Sequence, residues 1–230
     1  MNGIEKQLWL ITFPRQVLWL FVVLNIASML LYPGSTYRDH LSMGYSFTEN
    51  FLSDLGRTLT FSGEINFLSS QLFNMSLVLA GGVFALFYLH VRKVFNSDKQ
   101  NILAFIGSFF GILGGISLAG VGITPADLYL NLHIICANWL FRFMFLASLF
   151  YTIAIFRHLA FENKYAGGYL VFSMTILIYI LISELGPGPK VSHFALVLQV
   201  VSQKIILLVL MMAIYIQTLG LKKYKNNDAF

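Results

Sequence analysis

Charge is what this chain is short of. Only 11% of its 230 residues are Asp, Glu, Lys or Arg, against 57% hydrophobic, and the mean hydropathy is +0.74. A soluble domain carries about a quarter charged residues, so the composition predicts an integral membrane protein. Cysteine is nearly absent too: a single Cys136, inside an apolar run, excludes a disulfide framework and a cysteine-based metal site within one chain. There is no phosphate loop and no dinucleotide fingerprint, which argues against a nucleotide-driven machine, and no HExxH or HxxxH pair. No motif calls for a cofactor or a metal. Strict alternation of polar and apolar residues is missing, against a β-barrel. The formal charge of +5 is spread over short loops rather than clustered with aromatics in a groove, so no nucleic-acid partner is expected.

What is there is apolar and long. A bilayer core of about 30 Å takes roughly 20 helical residues, and six runs meet that demand, near residues 16–32, 67–91, 102–122, 132–156, 169–185 and 194–219. The prediction is an all-α bundle of six transmembrane helices forming one domain over residues 1–230, without internal repeats of the transporter kind. Lys6 and Arg15 before the first run resemble a signal peptide, but no small-residue cleavage site follows, so an uncleaved first helix is expected.

Loop charge then orients the bundle. Lys6, Arg15, Arg92, Lys93, Lys99, Arg157, Lys164, Lys222, Lys223 and Lys225 all fall on one side of a six-pass topology, and only Arg38, Arg57 and Lys190 on the other. Both termini are therefore expected in the cytoplasm. The opposite side gathers the acids Asp39, Glu49, Asp54, Glu64, Asp127 and Glu184. It also holds a long loop, residues 33–66, carrying Tyr45, Phe47, Phe51, Leu52 and Leu55. Long connections in compact proteins tend to be functional, and this one is expected to fold back as an interfacial segment.

Three stretches, "YSFTENFLSDLG" (45–56), "QLFNMSLVLAGG" (71–82) and "GVGITPADLYLNLHIICANWLF" (120–141), occur in an order that resembles the Domain of Unknown Function 998 family of six-helix membrane proteins. The resemblance rests on Ser53, Asp54, Leu55 and Gly56 after the first helix, Phe73 and Asn74 in the second, Gly122, Pro125 and Asp127 before the fourth, and His133 opening it. In the last helix Gln203 and Lys204 stand where the family carries a Gln-Arg pair, so the charge is kept and the bidentate fork is lost. A more distant similarity is to the DRAM/Frag family. Neither resemblance implies a reaction; with the chain's size, it implies a bacterial cytoplasmic membrane.

Charges at bilayer depth cost at least roughly 2.5–3.5 kcal/mol each at a helix centre, which singles out Arg142 and Lys204. Arg142 lies nine residues after His133, about 13 Å along a helix, and points away from it. Lys204 shares a face with His193, with Gln199 and Gln203 alongside. Each cation can serve a ligand, or can simply pair with Glu184, Asn138, Gln203 or a backbone carbonyl. The glycines Gly81, Gly107, Gly111 and Gly115 suit close helix packing. Ser53 and Asp54 suit either a helix cap or a carboxylate dipping into the outer mouth. Asp127 after Pro125 suits a cap at a positive helix end, and His133 suits a structural hydrogen bond, a metal or a proton shuttle.

The candidate pocket is therefore Ser53, Asp54, Asn74, Asp127, His133, Arg142, Gln203 and Lys204. Membrane lipids surround it, and its expected ligand, bound or transported from the outer side, is a small molecule or lipid headgroup, with an anionic or zwitterionic group held by cations such as Lys204 below the acidic rim. Two alternatives stay open. One is an intramembrane lipid hydrolase using Ser53 with Asp54 or His133, for which the loop must fold back far enough to assemble a relay. The other is a structural or regulatory partner without chemistry.

Overall fold

In the computed structural model, which describes residues 3–95, 98–158 and 161–227, the chain forms six long helices and no sheet among the described residues. They are α1 (Gly3–Leu31), α2 (Phe67–Val91), α3 (Asp98–Ile123), α4 (Leu130–Phe156), α5 (Lys164–Leu185) and α6 (His193–Asn227). All six are long and apolar enough to cross a membrane, which makes this a multi-pass integral membrane protein. Within α1 the residues Leu8–Thr12 form a π-helical turn just ahead of Pro14. Proline has no N–H to give the preceding turn, and a local π adjustment accommodates the missing bond.

Successive helices pack side by side as antiparallel neighbours, and α6 returns to α1. Hydrophobicity alone does not drive helices together in lipid, so the seams use small residues and buried polar bonds. A Cβ on Gly81 would stand 2.5 Å from the Gly115 carbonyl oxygen, and one on Gly111 would stand 2.2 Å from the Tyr88 ring; α2 thus fills the α3 stripe at Gly111 and Gly115, while Tyr151 of α4 fills it at Gly107. Asn25 Nδ2 donates to Ser76 Oγ at 3.0 Å and Ser28 Oγ to the Ser69 carbonyl at 2.8 Å, tying α1 to α2. Ser148 and Ser173 hydroxyls meet at 2.7 Å between α4 and α5.

The two ends differ. At the basic end Arg15 Nε donates to Thr218 Oγ1 at 2.8 Å, Lys164 pairs with Glu162 at 2.7 Å, and Lys223 reaches the same carboxylate. Phe95, Phe161 and Tyr224 stack there. Lys99 and Lys225 fall outside the residues whose side chains are described.

At the other end the long loop goes deeper than an interfacial segment. Its rim residues Leu41, Met43 and Phe47 are exposed, but a short 3-10 helix, Leu52–Gly56, descends among the helices. Leu52 N donates to Gln203 Oε1 at 2.9 Å, and Gln203 lies ten residues beyond His193, about 15 Å along α6 at 1.5 Å per residue. Irregular backbone survives at such depth only where the protein satisfies its polar groups. Here side chains do so: Asn66 Nδ2 donates to the carbonyls of Leu55 (2.9 Å) and Arg57 (2.8 Å), Asn74 to that of Gly56 (3.1 Å), and Asn50 to that of Ser35 (2.9 Å).

Candidate functional site

The 3-10 helix organises the half of the bundle opposite the basic end. Asp54 caps it from within: Oδ2 accepts the Phe51 N–H at 2.8 Å and Asn50 Nδ2 at 3.3 Å. The carboxyl is 5% exposed. Desolvation raises its pKa from 3.8 to about 6, against the opposing pull of the Asn50 and Phe51 bonds and the positive charges of Arg57 and Lys204. Glycine follows at position 56 because α2 leaves no room: a Cβ there would lie 2.5 Å from Asn74 Oδ1 and 2.8 Å from the Phe73 ring. Asn74 therefore seats the loop.

Lys204 sits on the flank of this re-entrant turn. Its Nζ donates to the Asn50 carbonyl at 2.6 Å and lies 5.3 Å from the Tyr45 ring centroid and 5.1 Å from that of Phe47. Such cation–π contacts, with a carbonyl acceptor, compensate an ammonium taken out of water. One turn of backbone thus receives two consecutive residues of α6, with Gln203 holding the N–H of Leu52 and Lys204 the carbonyl of Asn50.

On the other side of the 3-10 helix lies a cavity of about 50 Å³ between α2, α3, α4 and α6. Its walls are mostly apolar, including Phe73, Leu118, Leu140 and Leu207, and three polar side chains line it: Ser53, His133 and Gln203. Each has hydrogen-bonding capacity left over. His133 Nδ1 lies 2.7 Å from the Thr124 carbonyl; a carbonyl only accepts, so Nδ1 carries the hydrogen and Nε2 of the neutral ring keeps its lone pair. Gln203 uses Oε1 on Leu52, which leaves its NH2 group to donate elsewhere. Ser53, half-buried, makes no side-chain hydrogen bond to a described residue. The volume admits a few water-sized groups, since one needs roughly 10–15 Å³ on this measure.

The remaining candidates lie elsewhere. Asp127 clips the loop to the α3–α4 turn, accepting the N–H groups of Thr58 and Leu59 at 3.0 Å and the Thr58 hydroxyl. Partial burial works to raise its pKa, but these donors outweigh it and hold the carboxyl below its ordinary value. Arg142 faces α5 on the perimeter: it pairs with Glu184, donates to the Asn138 carbonyl at 3.0 Å and leaves its side chain 35% exposed. Of the eight nominated residues, the structure brings Ser53, His133 and Gln203 to one cavity and gathers Asp54, Lys204 and Asn74 around the turn that roofs it. Asp127 and Arg142 stand apart. Among the described residues no group of three His, Cys, Asp or Glu side chains is placed to hold a metal.

Asn50 was not among the nominated residues. It is fully buried, accepts the Ser46 N–H at 2.9 Å, donates to Ser35 and Asp54, and offers its carbonyl to Lys204. The one local signal is its position four residues before Asp54, which lets an amide reach the carboxylate across a single turn.

A family model described as "Protein of unknown function (DUF998)" matches residues 25–213. No curated protein and no solved structure matches the chain. The match covers most of the chain, both sides of the cavity included, and the chain belongs to that family.

Proposed function

We propose that this member of a family without an assigned activity binds a small molecule or lipid headgroup in its outer-half cavity, and passes it or presents it from there. The observation that carries the reading is the convergence of Ser53, His133 and Gln203, each with an unspent donor or acceptor, on one small space. Ser53 and Gln203 are half-buried, so their spare groups are open to an entering molecule, and a ligand in the cavity can pair with all three. In this reading Lys204 and Asp54 hold the roof in place and do not touch the ligand. The test fills the cavity at Ala137, a small residue of its α4 wall: wild type and Ala137→Leu are purified in nanodiscs formed directly from the membrane, and their bound small molecules are extracted and compared by mass spectrometry. A species present in wild type and lost in Ala137→Leu is expected; identical extracts overturn the proposal.

The six helices act as one domain with both termini in the cytoplasm, as loop charge suggests, and the chain's size and family resemblance support a bacterial inner membrane. In a Cys136→Ser background, Leu41→Cys is expected to react with a membrane-impermeant maleimide in intact cells and Lys222→Cys only after lysis. The reverse pattern inverts the topology.

A second reading has its own observation. Ser53 and His133 line the same cavity, and the Nε2 lone pair is the atom a serine–histidine dyad uses. This reading is an intramembrane lipid hydrolase with His133 as the base; Asp54 does not line the cavity. Labelling of wild type by a fluorophosphonate, abolished in Ser53→Ala, favours it; absence of labelling removes it.

A further inference from the structure

The walls of the cavity say what kind of group it takes. No Asp, Glu, Lys or Arg lines it, and the nearest cation, Lys204, turns its ammonium to Asn50, Tyr45 and Phe47 on the far flank of the turn. An anion placed there would give up part of its hydration without gaining a counter-charge from the walls, which is costly against an apolar lining. The three polar groups form a neutral set. His133 Nε2 accepts one hydrogen bond, the Gln203 NH2 donates, and the Ser53 hydroxyl does either.

From this set we infer that the ligand is uncharged and carries a hydroxyl beside a carbonyl, as in the hydroxy-ester head of a glyceride. The hydroxyl donates to His133 Nε2 and the carbonyl accepts from Gln203 and Ser53. The inference rests on the binding role of the cavity and deepens it: headgroups with phosphate or carboxylate are rejected, because nothing in the walls balances their charge. The reliance on a neutral imidazole follows from geometry, since Nδ1 is committed to Thr124 and no Asp or Glu lines the cavity to balance a second proton on Nε2. Two sources present the same head, a membrane-borne glyceride or a small soluble ester, and the cavity's size separates them poorly. Its apolar lining of Leu118, Leu140 and Leu207 suits either.

The test uses the purified full chain in detergent and three probes: 1-monooleoylglycerol, monoacetin as its water-soluble counterpart, and 1-oleoyl-lysophosphatidic acid as its anionic counterpart. Binding is read by native mass spectrometry and by the rise in melting temperature, with Ala137→Leu as the filled-cavity control and Ser53→Ala as a variant that breaks no bond of the fold. Monooleoylglycerol is expected to bind wild type, to weaken up to roughly tenfold in Ser53→Ala, as loss of one hydrogen bond implies, and to be lost in Ala137→Leu. Monoacetin binding with the same variant dependence supports the class with a soluble source; monooleoylglycerol alone supports it with a lipid source. If the lysophosphatidic acid binds as tightly as monooleoylglycerol and Ala137→Leu abolishes both, the cavity is a binding site and its neutrality is refuted. If no probe distinguishes wild type from Ala137→Leu, the inference falls with the binding role itself.

Discussion

Asp54→Asn probes the roof of the cavity through its dependence on pH. The folded chain holds the Asp54 proton with a pKa of about 6, against 3.8 for the free side chain, so between those values the native state binds more protons than the unfolded one. Stability therefore falls as pH rises through this window. It is full below about pH 4, where both states are protonated, and reaches its lower plateau above the folded value. A difference of roughly two pKa values, at about 1.4 kcal/mol each, places the buried anion about 3 kcal/mol above its protonated form. For a chain of this size that corresponds to a melting-temperature change on the order of 5–10 °C. Asparagine mimics the protonated state and has no such window. The assay is thermal unfolding in detergent micelles followed by far-ultraviolet circular dichroism, from pH 4.5 to 7.5, for both proteins. The difference between them cancels the other titrating groups: wild type is expected to lose ground to Asp54→Asn as pH rises, and to lose it at still higher pH when Lys204→Met removes a charge that favours the anion. Parallel profiles, or a wild type that gains on the variant with rising pH, would refute the claim that burial outweighs the charges of Lys204 and Arg57.

Asp127 behaves oppositely, because its pKa is held below the ordinary value: its contribution is present above about pH 4 and disappears as pH falls further. Asp127→Ala is expected to cost on the order of 1.5–3 kcal/mol at neutral pH through lost charge-assisted bonds, with faster hydrogen exchange at the Thr58 and Leu59 amides as the readout. Gly111→Ala is expected to cost about 1–3 kcal/mol or more by overpacking against Tyr88, whereas Gly82→Ala, with nothing within 4 Å of its added carbon, is expected to be neutral or stabilising; monodisperse yield and melting temperature separate them. Arg142→Leu alone leaves Glu184 without its partner and is expected to lower the melting temperature more than Arg142→Leu with Glu184→Leu. A double variant worse than either single would contradict that.

The helices were legible because hydrophobic length is a property of the chain alone. Their ends were less so: the described part of α1 starts at Gly3, well before the apolar run near residue 16, and its π-helical turn packs against the rest of the bundle at Leu10. The long loop was legible as unusual, from its length and aromatics, and its depth was not. Whether a loop lies on a membrane or enters a protein depends on who satisfies its backbone, and the groups that do so here come from residues far apart in sequence. Gln203 answers Leu52, and Asn66 and Asn74 answer Leu55, Arg57 and Gly56.

The same logic explains why the loudest signal in the sequence pointed one step away from the cavity. An intramembrane charge stands out because it is expensive, so Lys204 and Arg142 drew attention before any neutral residue. Expense, however, marks only that a charge is compensated, not by what. Arg142 is compensated by Glu184, and Lys204 by a carbonyl and two aromatic rings of the re-entrant turn. Lys204 thereby fixes the turn that presents Ser53 to the cavity. A neutral Ser, His and Gln cost far less to bury and are correspondingly quiet in a single sequence, yet they are what the cavity offers a ligand. This ordering is open to experiment. Lys204→Met is expected to weaken ligand binding only together with protection of the Asn50–Gly56 amides from hydrogen exchange, whereas Ser53→Ala is expected to weaken binding with that protection intact. If Lys204→Met abolishes binding while the turn stays protected, the ammonium touches the ligand and the assignment of Lys204 to the roof is wrong.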